Sequence, residues 1–101
     1  MAQESVKIRL KGYLKFKRFL GGSSGMELEM KDATLQDVLD SLSSRLGVTF
    51  EKTLYDPETK QLKRSNMLLL NGQSYLNLTN KLNTELRDGD EIVLLPVITG
   101  G

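Results

Sequence analysis

Asp90-Glu91-Ile92-Val93-Leu94-Leu95-Pro96-Val97-Ile98-Thr99-Gly100-Gly101 is the stretch from which the fold of this chain is read. Ile92 to Leu95 is an unbroken apolar run with β-branched residues, the signature of a strand in the interior of a sheet. Pro96 has no amide hydrogen to give to a ladder, so pairing is expected to stop there. The remaining five residues are then expected to project, with a reach of about 17 Å when extended. Gly100 and Gly101 lack a Cβ and make the end of this tail as thin as a peptide can be. Two readings of the end stand side by side: a frayed terminus, or a carboxylate presented to another protein. The strong strand so close to paired glycines favours the second. The expected division is a single domain over 1–96 and a tail over 97–101.

Working back from the tail, the chain of 101 residues suits one domain with one small core. Its 14 basic and 13 acidic residues leave a net charge of +1, which gives no reason to expect nucleic acid. No apolar run approaches a membrane span, and the polar start Met-Ala-Gln-Glu-Ser lacks a signal-peptide core, so a cytoplasmic protein is the default. Cysteine and histidine are both absent. The chain therefore brings no sulfur nucleophile, no thiolate metal site and no imidazole base, and is expected not to be an enzyme. Chemistry at the tail falls to a partner.

Two alternating segments open the chain. Val6, Ile8 and Leu10 interleave with Lys7, Arg9 and Lys11, and Met26, Leu28 and Met30 with Glu27, Glu29 and Lys31, so an antiparallel hairpin is expected. Leu14 and Phe16 read as a continuation of the first strand past a bend at Gly12, and Gly21-Gly22-Ser23-Ser24-Gly25 as a turn. Lys11, Lys15, Lys17 and Arg18 make this end basic, which suits a guarded strand edge better than a docking surface.

A helix follows. Thr34 is a suitable N-cap with Asp37 three residues on, and Leu35, Val38, Leu39, Leu42 and Leu46 form one apolar stripe closed by Gly47. Asp37 and Asp40 are read as first-turn acids, not as a catalytic pair. Residues Val48 to Ser65 are expected to form an irregular connection. Met67 to Leu70 is a third strand ended by Asn71-Gly72, Tyr75 to Leu78 a short returning strand, and Lys81 to Leu86 one helical turn. Asp88, Asp90 and Glu91 read as turn residues; calcium-loop spacing is missing and no metal site is expected.

One helix over a mixed four- to five-stranded sheet is an α+β arrangement. With a free Gly-Gly end it resembles the β-grasp, ubiquitin-like fold, and more narrowly the MoaD/ThiS family of sulfur carriers, including small archaeal modifier proteins. The resemblance rests on Thr34-Leu35-Gln36-Asp37-Val38-Leu39, Leu70-Asn71-Gly72, Leu86-Arg87-Asp88-Gly89-Asp90-Glu91-Ile92 and Leu95 to Gly101. Val97 stands where many relatives have a second proline, Thr99 where serine or alanine is usual, and the chain is longer around Leu14–Ser24 and Thr49–Lys63.

The resemblance implies a function at the terminus. A MoeB/ThiF-like adenylating enzyme would supply ATP and magnesium and activate the Gly101 carboxylate, this chain binding no cofactor itself. The product would be a thiocarboxylate for a molybdopterin synthase large subunit. Conjugation of Gly101 to target lysines is the alternative, and a β-grasp binding module with an incidental tail is a third. Leu95, Pro96, Val97, Ile98, Thr99 and Gly100 are expected to thread into the partner. One helix covers one sheet face, so alternate residues of Met67–Leu70 and Ile92–Leu95 should form an exposed apolar patch, to which Leu68 and Leu70 are assigned. The competing expectation is that the Val48–Ser65 connection covers that face.

Overall fold

The alternation of apolar and charged residues in the first segment produces strand β1, Ser5–Gly12, paired antiparallel with β2, Met26–Lys31. The structure, a computed structural model, describes residues 5–20 and 25–97. Ile8 lies opposite Leu28 and Leu10 opposite Met26 on the core face, while Lys7 faces Glu29 and Arg9 faces Glu27 on the other. Opposite charges across a strand pair stabilise the register as well as the solubility of that face.

The chain does not continue β1 beyond Gly12. Tyr13 donates its amide to the Leu94 carbonyl at 3.0 Å, and a 3-10 turn, Leu14–Phe16, leads into a short helix α1, Lys17–Leu20. The backbone doubles back so closely that a Cβ on Gly12 would lie 2.6 Å from the Phe16 carbonyl oxygen. Phe16 and Leu20 are fully buried whereas Leu14 is exposed. The Leu14/Phe16 alternation is therefore not that of a strand; Phe16 and Leu20, four apart, are one helical face. Of the glycine-rich turn that follows, Gly25 alone lies within the described residues, at φ +67°.

Helix α2, Leu35–Leu46, forms as its sequence dictates. Thr34 Oγ1 accepts from the Asp37 amide at 3.2 Å, and Asp37 Oδ2 accepts from the Thr34 amide at 2.9 Å, so the capping box closes with the shorter acid. Leu35, Val38, Leu39 and Leu42 are buried against the sheet, and Gly47 terminates the helix at φ +84°. A third helix, α3, Val48–Leu54, occupies the start of the segment expected to be irregular. Its β-branched residues and lack of a side-chain N-cap hide it from local reading; burial of Phe50 and Leu54, again four apart, holds it in place. Phe50 meets Phe16 and Phe19 edge to face, with ring centroids 6.4 and 5.2 Å away. The two segments that lengthen this chain thus pack on each other.

Strand β3, Asn66–Leu70, turns through Asn71 (φ +52°) and Gly72 (φ +85°) into the two-residue β4, Gln73–Ser74. Positive φ at both turn positions is the geometry that Asn-Gly favours. Tyr75–Asn77 is a 3-10 turn and not part of a strand, and a second 3-10 turn spans Lys81–Asn83. The final strand, β5, Glu91–Pro96, enters the centre of the sheet, whose order is β2-β1-β5-β3-β4. It runs parallel to β1 and antiparallel to β3, which makes the sheet mixed. Ile8, Leu10, Leu28, Leu68, Leu70, Ile92 and Leu94 form its core face beneath α2.

Candidate functional site: the end of the central strand and the open sheet face

The turn that launches β5 is built by carboxylates acting as acceptors. Asp88 Oδ1 takes the Lys7 amide at 2.8 Å, and Asp90 Oδ2 takes the Arg87 amide at 2.7 Å. Asp90 Oδ1 also accepts from the Asn71 side chain at 3.0 Å, and Asn71 Oδ1 accepts from the Glu91 amide at 2.9 Å. With Gly89 at φ +88° and its amide on the Lys7 carbonyl, these bonds lock the Arg87–Asp90 turn to β1 and β3 at once. The acids here are used as turn geometry, and among the described residues no cluster of potential metal ligands occurs.

At the other end of β5, pairing continues beyond the proline. Met67 lies opposite Leu95 and Asn66 opposite Pro96, and the Val97 amide donates to the Ser65 carbonyl at 2.7 Å. The reason is directional. In an antiparallel ladder only alternate residues exchange hydrogen bonds with a given neighbour. Val97 bonds toward β3, so the Pro96 nitrogen points toward β1, whose pairing with β5 ends at Gly12 opposite Leu94. The proline therefore sits where a donor has no strand to serve, and the last backbone bond belongs to Val97. Ile98, Thr99, Gly100 and Gly101 lie outside the described residues.

The same alternation assigns the faces. Leu68 and Leu70, assigned above to an exposed patch, are 1% and 7% accessible and belong to the core. Their parity is set by register: each pairs with a core residue of β5, Leu68 with Leu94 and Leu70 with Ile92. The residues turned away from α2 are Met67 and Leu69 on β3, and Val93 and Leu95 on β5. Met67 is exposed and the other three are half-buried, and exposed Val97 follows in the same line. Nothing in four consecutive apolar residues reveals which two face out; only pairing with β5 does. This apolar strip is flanked by the charged half of the sheet, where Lys11 Nζ lies 3.2 Å from Glu91 Oε2. The Val48–Ser65 segment packs on the helix side, with Phe50 and Leu54 in the core shared with α2.

A mixed sheet with a parallel central pair, one capped helix across a face and a last strand that delivers the chain end defines a β-grasp, ubiquitin-like protein. The sequence model of the ThiS family matches residues 16–101, and the chain belongs to that family of ubiquitin-like sulfur carriers and protein modifiers. The solution structure of small archaeal modifier protein 1 from Methanosarcina acetivorans is similar at a TM-score of 0.74 and 25% identity, over 97% of this chain and 99% of that one. Urm1 from Sulfolobus solfataricus is similar at 0.55 and 27% identity, over 90% and 99%. A chain of the Amycolatopsis orientalis BexX/CysO complex, at 0.68 and 24% identity over 93% and 99%, shares the fold. No curated protein sequence matches the chain.

Proposed function

We propose that this protein is a sulfur carrier that reacts through the Gly101 carboxylate. The observation that carries the reading is the path of β5, paired with β1 up to Leu94 and held to β3 by the Val97–Ser65 bond, so that Val97, the last described residue, sits on a hydrogen-bonded base beside the apolar strip. A MoeB/ThiF-like enzyme would seat Met67, Leu69, Val93 and Leu95 against its own surface and receive the tail in an ATP site. A free carboxylate oxide is a poor leaving group, so activation precedes transfer. One Gly101 oxygen attacks the α-phosphorus of magnesium-bound ATP and pyrophosphate departs. The terminal sulfur of a persulfide on the partner then attacks the acyl carbon of the mixed anhydride and AMP departs. A second partner thiol attacks the donor sulfur of the resulting acyl disulfide, releasing the thiocarboxylate and leaving a disulfide on the partner. We assign the recipient to the large subunit of a molybdopterin synthase. ATP, magnesium and the nucleophile all belong to the partner.

The similarity to small archaeal modifier protein 1 supports a second outcome of the same activation. A lysine amine of a target protein attacks the acyl-adenylate, and an isopeptide bond replaces the thiocarboxylate. Exchange of labelled pyrophosphate into ATP, catalysed by a MoeB/ThiF-like enzyme in the presence of this chain, tests the shared step. The full chain is expected to support exchange, and a chain lacking Gly101 is not. Equal exchange with both would refute activation at Gly101.

A further inference from the structure

A groove of about 1,110 Å³ opens on the helix side of the molecule, between α2, α3, the 55–64 loop and the 3-10 turns after β4. Val48 and Leu76, 63% and 60% accessible, are the most exposed large apolar residues among those described, and both line it. Tyr55, half-buried between them, is bridged to Leu62, so the apolar floor is continuous with the core.

The charges of the groove are unevenly distributed, although Lys52 stands beside Glu51 on α3. Asp40 and Glu51 stand on its α2/α3 wall, and Asp40 accepts from the Gln36 amide at 3.0 Å. Asp56 is tied into its own loop, accepting from the Glu58 amide at 2.8 Å. The opposite wall carries Lys60, Lys63 and Arg64 with no acid among residues 60–64. None of these three cations forms an ion pair among the described residues. Gln36 also donates to the Tyr55 hydroxyl at 3.3 Å, and that hydroxyl gives its own proton to no other described residue. Burial, with the nearby Asp40 and Glu51 charges, holds the Tyr55 pKa above its ordinary value.

We propose that this groove seats an acidic amphipathic helix of a partner protein, with carboxylates on Lys60, Lys63 and Arg64 and apolar side chains over Val48, Leu62 and Leu76. Cations without an ion pair among the described residues, beside exposed apolar residues, match such a helix in charge and in apolar character. The site leaves the open sheet face uncovered. It also adjoins the tail: the Lys63–Asn66 turn that carries Arg64 supplies the Ser65 carbonyl that holds Val97. The turn is anchored from behind, because Asn66 Nδ2 donates to the Thr53 and Leu54 carbonyls at 2.9 and 3.3 Å and caps α3. A partner bound in the groove would thus stand near Val97 while a second protein occupies the sheet.

The test is amide chemical-shift mapping of the full chain with two synthetic amphipathic helices of identical leucine spacing, one bearing glutamates and the other glutamines. The glutamate helix is expected to shift Val48, Tyr55, Leu62 and Leu76, and to bind at least about tenfold more tightly than its neutral counterpart. Added salt should narrow that gap. A K63E/R64E double variant, whose spectrum reports its folding, should lose the preference, and Leu76→Ser should weaken both helices. Equal affinity for the two helices, shifts centred on Met67, Val93 and Leu95, or no shifts at all would each overturn the proposal.

Discussion

Replacing Phe50 with alanine tests the finding that the two added segments stabilise each other through one aromatic cluster. Phe50 is fully buried, and its ring makes edge-to-face contacts with Phe16 at 6.4 Å and Phe19 at 5.2 Å. Truncating a buried phenylalanine costs about 3–5 kcal/mol, lost transfer energy and residual cavity together. A domain of this size has roughly 5–15 kcal/mol in all, and each kcal/mol is about 4–8 °C of Tm, so Tm should fall by roughly 12–40 °C. Urea unfolding followed by circular dichroism gives the free energy, with an unchanged slope as the check that unfolding stays two-state. The sharper test is the cycle with Phe19→Ala. The Phe19–Phe50 rings lie at 75° to each other, and such a pair is worth about 0.5–1.5 kcal/mol beyond burial. Strict additivity of the two losses, or a Phe50→Ala loss under about 1 kcal/mol, would refute the packing described for α1 and α3.

Other outcomes follow from single contacts. Gly12→Ala sets a methyl group against the Phe16 backbone, which cannot swing aside as a side chain would, and should cost about 1–3 kcal/mol in urea unfolding. Leu68→Glu should unfold the protein, while Leu95→Glu on the open face should leave the circular dichroism spectrum intact yet weaken activation by the proposed MoeB/ThiF-like enzyme roughly 30-fold, as loss of an interface anchor of about 2 kcal/mol would. Tyr55 provides a pH test. Its folded pKa is raised, so above the ordinary value of 10.0 the unfolded state loses the proton first, and stability declines as pH climbs from there through the folded pKa. Tyr55→Phe should remove that component of the alkaline decline and leave the stability at neutral pH without a pH slope from this position.

Much of this architecture is legible where the signal is local. Thr34 and Asp37 announce a helix because the cap is made by residues three apart, and Asn71-Gly72 announces a turn because few residues accept both positive φ values. The β5 strand declares itself by an unbroken apolar run that contains β-branched residues. What escaped was set by distant partners. Helix α3 is held by Phe50 meeting α1, some thirty residues earlier, and not by propensity. Leu68 and Leu70 were assigned to the wrong face because parity in a uniform apolar run depends on register with β5. Pro96 was expected to end all pairing, but its missing amide faces β1 and leaves the β3 ladder intact. The groove between α3 and the 3-10 turns had no signal in the sequence, since its walls come from four separate segments.

The proposed chemistry changes a single atom of the Gly101 carboxylate, and mass spectrometry reaches it most directly. A tagged form would be purified from its own cells under denaturing conditions, beside a form lacking Gly101. Carrier function predicts a population with sulfur in place of one oxygen of the Gly101 carboxylate, absent from the shortened control. Gly-Gly remnants on lysines of other proteins would move the assignment to protein modification. Neither signal, with the shortened form still functional in the cell, would contradict any role for the terminal carboxylate and leave the apolar sheet face as a binding surface alone.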